Sequence, residues 1–377
     1  MAENSSNHPG VSNAGSCFST LFSQKLVAYL HRKPDVIQAA EPNISIVSID
    51  EINRQAWDDV WRSCCHGTYF QSPEWHEIWS AYTSGRMRPT PLQFGFSDGK
   101  RAIVPISVER QCGGLMQTAW SSPAGTYGGW ISLDEITDVH GTLIEDLMCH
   151  RFPSLIWRRN PHDPRQRGMC SAHLRMDYTH VVPLSSDPEM LGRMAKPSCL
   201  RNARKAERDG LRVRRAVALA DWESYLRIYS ESLRRWGAEA TSRYDPSLFI
   251  DMFRRRSKSI QLWLAEKEGT ILSGALMLYS RNHAIYWHGA NADISRGSGS
   301  ANILFLSIMS DAMERGIAVF DFNPSGGHRG VEAFKESFGA VRVECPMLVQ
   351  HGFVRKFVYT ALRCLRASGI RTGGRRP

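Results

Sequence analysis

Two stretches of this chain, "FGFSDGKRAIVPISV" (94–108) and "WLAEKEGTILSGALML" (263–278), share one shape. Each has an apolar run, a charged turn ending in glycine, and a second apolar run interrupted by a small or turn-prone residue. Asp98-Gly99 is a strong hairpin signal, because both residue types tolerate the positive φ that a tight hairpin turn demands. Gly99 and Gly269 stand 170 residues apart (269 − 99), about one domain length. Two helical stretches precede each hairpin. The pattern therefore points to an internally duplicated strand–helix–helix–hairpin unit, with two unrelated hairpins as the alternative. A chain of 377 residues, 42% hydrophobic and 22% charged, has material for two cores.

The rest of the chain fits that frame. "ISIVSI" (44–49) predicts a strand, and "DEINRQAWDDVWRSC" and "SPEWHEIWSAY" predict helices. In the second, Ser72 is placed as N-cap with Pro73 at the first helical position. "SSPAGTYGGW" (121–130) reads as a glycine-rich loop, and a helix is expected from Asp134 to about His150. "SLIWRR" and "DYTHVVPL" read as strands around the polar loop "RNPHDPRQRGMCS". "DPEMLGRMAKPSCLRNARKAERDG" predicts one basic helix closed by Gly210. Two more helical stretches lead to the second hairpin, the strand "HAIYWHGAN", the helix "ANILFLSIMSDAMERG" and the strand "GIAVFDF". This gives a leader at 1–43, polar apart from "FSTLFSQKLVAYLHRK" and read as disordered, an N-terminal unit at 44–185, a C-terminal unit at 186–350, and a basic tail at 351–377. The tail pairs an apolar face with Arg and Lys, so it suits either packing on the domain or an anionic membrane surface. Trp75, Trp79, Trp120 and Trp130 are expected in the core rather than as a binding platform.

Lys and Arg exceed Asp and Glu by 10 charges. That fits a solvated basic surface or an anionic partner such as RNA, an anionic lipid or a phosphorylated substrate. The nine cysteines are odd in number, scattered and without a CxxC pair, which argues against a disulfide framework and a zinc site and for a reducing, cytoplasmic setting. No metal is expected. No apolar run approaches the ~20 residues of a membrane span.

Chemistry concentrates in the last third. "YWHGANADISRGSGSANILFL" runs strand, Gly/Ser loop, helix start, an arrangement whose free backbone N–H groups suit a phosphate. Arg296-x-x-Gly299-x-Ala301, with Gly297, carries the spacing of an acyltransferase pyrophosphate loop; an ordinary flexible connection is the alternative. The next strand ends in Asp321, followed by "NPSGG" and then "VEAFKESFGA" with Lys335. A lysine held there suits stabilisation of an acyl-transfer oxyanion, and most lysines are surface charges. Asp321, His288 and Tyr127 are candidates for handling the amine proton. Their structural alternatives are capping, internal hydrogen bonding and packing.

Taken in order, the basic "RNARKAERDG" helix, the hairpin, "YWHGAN", "FDFNPSGG" and "AFKESFGA", with "YFQSPEWHEIW" and "SSPAGTYGGW" upstream, resemble the FemAB-like family and its CelD-type acetyltransferase relatives. The similarity spans roughly 44–350. It implies an α/β (α+β) fold of two tandem GNAT-like domains, mixed sheets flanked by helices, facing across a cleft. It also implies acyl transfer to an amine. The donor is acyl-CoA in the broader branch, in cell-envelope or exopolysaccharide metabolism, and aminoacyl-tRNA in the peptidoglycan branch, acting on a peptidoglycan or lipid-linked precursor. By resemblance Phe334-Lys335 matches the family's Phe-Lys pair, Arg201, Arg204 and Lys205 its basic helix, and Arg243, more loosely, an arginine that contacts precursor phosphates. A first-domain lysine of the family has no counterpart; Glu77 stands in that segment, against a nucleotide-linked precursor. A non-catalytic RNA- or membrane-binding protein is the reading from outside the enzymes.

Overall fold

The computed structural model describes residues 43–166, 174–237 and 243–352. The leader through residue 42 and the basic tail beyond 352 lie outside the described residues. The first half contains β1 (Ile46–Glu51), α1 (Arg54–Ser63), α2 (Pro73–Tyr82), β2 (Met87–Pro89), β3 (Leu92–Phe96), β4 (Arg101–Val104), β5 (Ser107–Gln111) and β6 (Met116–Trp120). It continues with α3 (Asp138–Arg151), β7 (Leu155–Arg158), β8 (Leu174–Arg175) and β9 (Tyr178–Pro183). The second half opens with α4 (Met190–Met194), α5 (Pro197–Arg208), β10 (Arg212–Arg215), α6 (Leu219–Trp236) and α7 (Pro246–Arg254). It closes with β11 (Ile260–Lys267), β12 (Thr270–Tyr279), β13 (His283–Asn291), α8 (Ser300–Glu314), β14 (Val319–Asp321), α9 (Arg329–Glu336), β15 (Val341–Glu344) and β16 (Met347–Gln350).

Local chemistry sets most of these boundaries. Ser72 Oγ accepts the Trp75 N–H at 3.1 Å and Pro73 opens α2, as its sequence requires. Both expected hairpins form, β3–β4 around Asp98-Gly99 and β11–β12 around Glu268-Gly269. Two expectations are corrected. The helix expected from Asp134 begins at Asp138, because Asp134 Oδ2 accepts the Arg101 N–H at 2.8 Å and Thr137 forms the cap with His140. The single basic helix is two, α4 and α5, because Pro197 forces Lys196 into an extended conformation (φ −60°, ψ 143°).

The strands form a three-stranded sheet (β1-β3-β4), a six-stranded sheet (β2-β5-β6-β7-β16-β8) and a seven-stranded sheet (β10-β11-β12-β13-β14-β9-β15). The halves repeat one plan: an antiparallel pair leads into a parallel pair joined through a helix, β6 to β7 by α3 and β13 to β14 by α8. This is the mixed α/β architecture of two GNAT-like units. Each large sheet also takes a strand from the far side of the sequence. β9, N-terminal to residue 185, pairs with β14 and β15, while β16, near the end of the described chain, pairs with β7 and β8. One apolar cluster joins the halves, with Trp57, Phe70 and Trp75 packing in the same core as Tyr225, Phe249 and Leu276. Trp75, Trp79 and Trp130 are buried and Trp120 packs against the core, as expected. Among the described residues no helix is long and apolar enough to cross a membrane.

Candidate active site

β13 and β14 pair in parallel only from His283–Ile285 to Val319–Asp321. Beyond that the two strands part, and β13 carries an extra residue at Trp287, where its register with β12 slips between Leu276 and Met277. The gap is a cleft of about 850 Å³, walled by Tyr286–Gly289 on one side and Phe322–Gly326 on the other. Ala124–Tyr127, Arg158 and Asp177 close it from the first half, and Lys335 of α9 lines it as well. Residues widely separated in sequence thus meet at one opening.

Lys335 is only 3% exposed, and its Nζ donates to the Asn323 carbonyl oxygen. Burial pushes the ammonium down to about 8, partly offset by the carboxylates of Asp321 and Glu332. Asn323 has φ +61°, and its own N–H donates to Asp321 Oδ1 at 2.7 Å, so Asp321 holds the backbone that meets Lys335. Asp321 does not line the cleft and is fully buried. Thr179 Oγ1 donates to its Oδ1 at 2.5 Å, His162 Nε2 to its Oδ2 at 2.7 Å, and Tyr127 OH to Oδ1 at a long 3.4 Å. Burial alone would raise the carboxyl; the bonds from His162, Thr179 and Asn323 outweigh it and hold it below the usual carboxylate range. Saturated in this way, Asp321 supports the site from behind. Its bond to the Asn323 N–H is the turn-capping contact weighed above as the alternative to proton handling.

Tyr127 and His288 do line the cleft. Burial, reinforced by the Asp321 carboxylate, lifts the Tyr127 hydroxyl well above 10, so it stays protonated. His288 Nδ1 pairs with Tyr225 OH, and burial drops the imidazole to about 3. It is therefore neutral at pH 7, and far from the near-neutral value that suits a general base.

The Arg296 loop builds a second cavity, of about 450 Å³, where Arg296, Gly297, Gly299 and Ala301 meet Asn202 and Arg235. Gly299 has φ +73°, and a Cβ there would stand 2.4 Å from the Asn202 carbonyl oxygen. Gly299→Ala is therefore expected to cost about 1–3 kcal/mol of stability, read from thermal unfolding followed by circular dichroism.

The remaining expected residues lie outside the main cleft. Arg201, Arg204 and Lys205 are exposed on the solvent face of α5. Arg243 is exposed and donates to the Gly237 carbonyl, while its neighbour Tyr244 lines the cleft. Phe334 is partly buried and packs against Phe305 and Phe338 at the edge of the core, where it braces the helix. Glu77 Oε1 accepts from Arg54 Nε at 2.6 Å in an ion pair. Sequence reasoning missed Arg158 and Asp177, paired at 2.7 Å, and the aromatic wall of Trp236, Tyr244, Tyr286 and Trp287. It also missed His162 and Thr179. Only Tyr286 and Trp287, inside "YWHGAN", carried a local signal.

Comparison with known proteins agrees with this architecture. Residues 196–336 match the family model "Acetyltransferase (GNAT) domain". The crystal structure of FemX superposes with TM-score 0.63 at 13% identity, covering 84% of this chain and 100% of that one. The resemblance to FemX is one of fold. L-PGS from Bacillus licheniformis aligns at TM-score 0.48 and 12% identity, over 85% of this chain and 99% of that one. An aminoglycoside acetyltransferase from an uncultured soil metagenomic sample aligns at 0.27 and 13%, over 34% of this chain and 86% of that one. No curated protein matches the sequence.

Proposed function

We propose that this chain, which carries a GNAT acetyltransferase domain within a FemX-like tandem fold, transfers an acyl group from acyl-CoA to an amine. The observation that carries the reading is Lys335, buried in the cleft where β13 and β14 part and tethered through Asn323 to Asp321. In this mechanism the amine nitrogen attacks the thioester carbonyl, the C–N bond forms and the carbonyl electron pair moves onto oxygen. The Lys335 ammonium stabilises that oxyanion. Collapse breaks the C–S bond, and the thiolate leaves as the proton lost by nitrogen passes to solvent or sulfur. The cavity of Arg296, Gly297, Gly299 and Ala301, at the N-terminus of α8, is the place for the donor's pyrophosphate. Tyr127 and His288 are neutral polar groups for orienting substrates.

The family resemblance suggests an acceptor from cell-envelope or exopolysaccharide metabolism, with work at the inner face of a membrane. A second reading, transfer from aminoacyl-tRNA to a peptidoglycan or lipid-linked precursor, is favoured by the exposed basic face of Arg201, Arg204 and Lys205. The test is a thermal-shift and turnover screen with acetyl-CoA, longer acyl-CoAs and charged tRNA. Stabilisation by an acyl-CoA, with none by tRNA, supports the first reading. The reverse supports the second, and binding without turnover supports a non-catalytic role.

A further inference from the structure

Among the described residues, most buried polar side-chain atoms have a partner, and those that lack one call for a reason. Seven such atoms lack one, and a single one of them is a hydroxyl, Ser325 Oγ. Ser325 is 8% exposed and lines the cleft that Lys335 lines. It belongs to the turn after β14, where Gly326 and Gly327 take φ +60° and +82° and the His328 N–H closes on the Ser325 carbonyl at 3.2 Å. The backbone of Ser325 is thus engaged while its side chain is left over. A neighbouring hydroxyl shows the contrast: Thr126 Oγ1, also in the cleft, donates to the Pro123 carbonyl at 2.8 Å and meets Ser122 Oγ at 2.7 Å.

The position of Ser325 matters as much as its lack of a partner. It follows by two residues Asn323, whose carbonyl holds Lys335 Nζ, so the two Cα atoms are at most about 7 Å apart. A second unpartnered buried donor, Arg158 Nε, belongs to another residue that lines the cleft. The carboxylate of Asp177, also in the lining, is already paired with Arg158 NH1 at 2.7 Å. Arg158 Nε can only donate and the Ser325 hydroxyl can donate or accept, so a ligand oxygen would meet both.

We propose that the Ser325 hydroxyl is a second donor, beside Lys335, to the acyl oxygen on which charge develops during transfer. This rests on the acyltransferase reading above. The C–N bond forms, the C=O pair becomes an oxyanion held by Ser325 Oγ–H and Lys335 Nζ–H, and the pair returns as the C–S bond breaks. Ser325 gives up no proton; it donates only a hydrogen bond.

The test measures thiol release from acetyl-CoA with an amino sugar, a lysine-ended peptide and a polyamine as acceptors, using the full chain. Ser325→Ala is expected to lower kcat about 100-fold, with KM for acetyl-CoA within about threefold of wild type. Its unfolding temperature is expected to stay level or rise, because an unpaired buried hydroxyl has been removed. Ser325→Cys, which keeps the shape with a weaker S–H donor, is expected to fall between. Undiminished kcat in Ser325→Ala overturns the inference, as does a loss matched by an equal fall in stability. A wild type that releases no thiol from acetyl-CoA or a longer acyl-CoA removes the acyl-CoA reading and this inference with it. An active wild type with an equally active Ser325→Ala removes this inference alone.

Discussion

Replacing Lys335 with methionine is expected to abolish most turnover and to make the protein more stable at neutral pH. Removing one oxyanion donor costs roughly 100- to 1000-fold in kcat. Lys335 has its ammonium at about 8 in the folded chain, against about 10.4 for an unfolded lysine. The unfolded state therefore binds more protons between those values, so the buried charge opposes folding most below pH 8, by about 3 kcal/mol. The burden lifts as pH rises from about 8 and is gone near 10.5. The gain from Lys335→Met should follow that curve, largest at neutral pH and absent above about 10.5, less whatever the freed Asn323 carbonyl costs. On the proposed mechanism the same proton governs activity. Wild-type kcat is expected to fall as pH rises through about 8, and Lys335→Met should lack that descending limb. Chemical denaturation at three pH values and a pH–rate profile check both halves. Full turnover in Lys335→Met sinks the electrostatic role.

Asp321→Ala is expected to act in the opposite direction on stability. The carboxylate accepts from His162, Thr179, Tyr127 and the Asn323 N–H in a fully buried place, and removing it strands all four donors. Breaking a buried pair of this kind costs about 3–5 kcal/mol, a fall in unfolding temperature on the order of 10 °C. Because the folded carboxyl lies below its ordinary range, its contribution is present above about pH 4 and is lost as pH falls through the folded value. The gap between wild type and variant should close in acid. Tyr127→Phe, which removes the long 3.4 Å bond to Asp321 and the hydroxyl's contact with Thr179, should cost about 1 kcal/mol. An Asp321→Ala protein of unchanged stability but no activity would restore Asp321 as a proton acceptor and remove the supporting role.

The two residues show where sequence reading stops. Both are conspicuous in the chain, one at a strand end before a glycine-rich turn, the other between aromatics just after it. Lys335 was legible because strand, turn and short helix are local patterns, and together they place a lysine beside a strand end. Asp321 invited the same reading, and its surroundings were set by His162, 159 positions away, and by Thr179 on β9. Phe334 likewise looks like a substrate contact in "AFKESFGA" and turns inward, because Phe305 and Phe338 offer it an apolar site.

By itself the sequence determined the elements: the hairpins at Gly99 and Gly269, the Ser72-Pro73 start of α2, the Gly/Ser loop before α8, and the doubled order that makes two similar units. Those follow from forces acting over a few residues, namely side-chain periodicity, capping and the backbone freedom of glycine. Only the tertiary structure decided that β9 and β16 cross between the sheets. It alone set the cleft between β13 and β14 apart from the cavity of the Arg296 loop, and left the Ser325 hydroxyl without a partner. Burial and hydrogen-bond satisfaction depend on which distant groups arrive at a place, and no local pattern encodes that arrival.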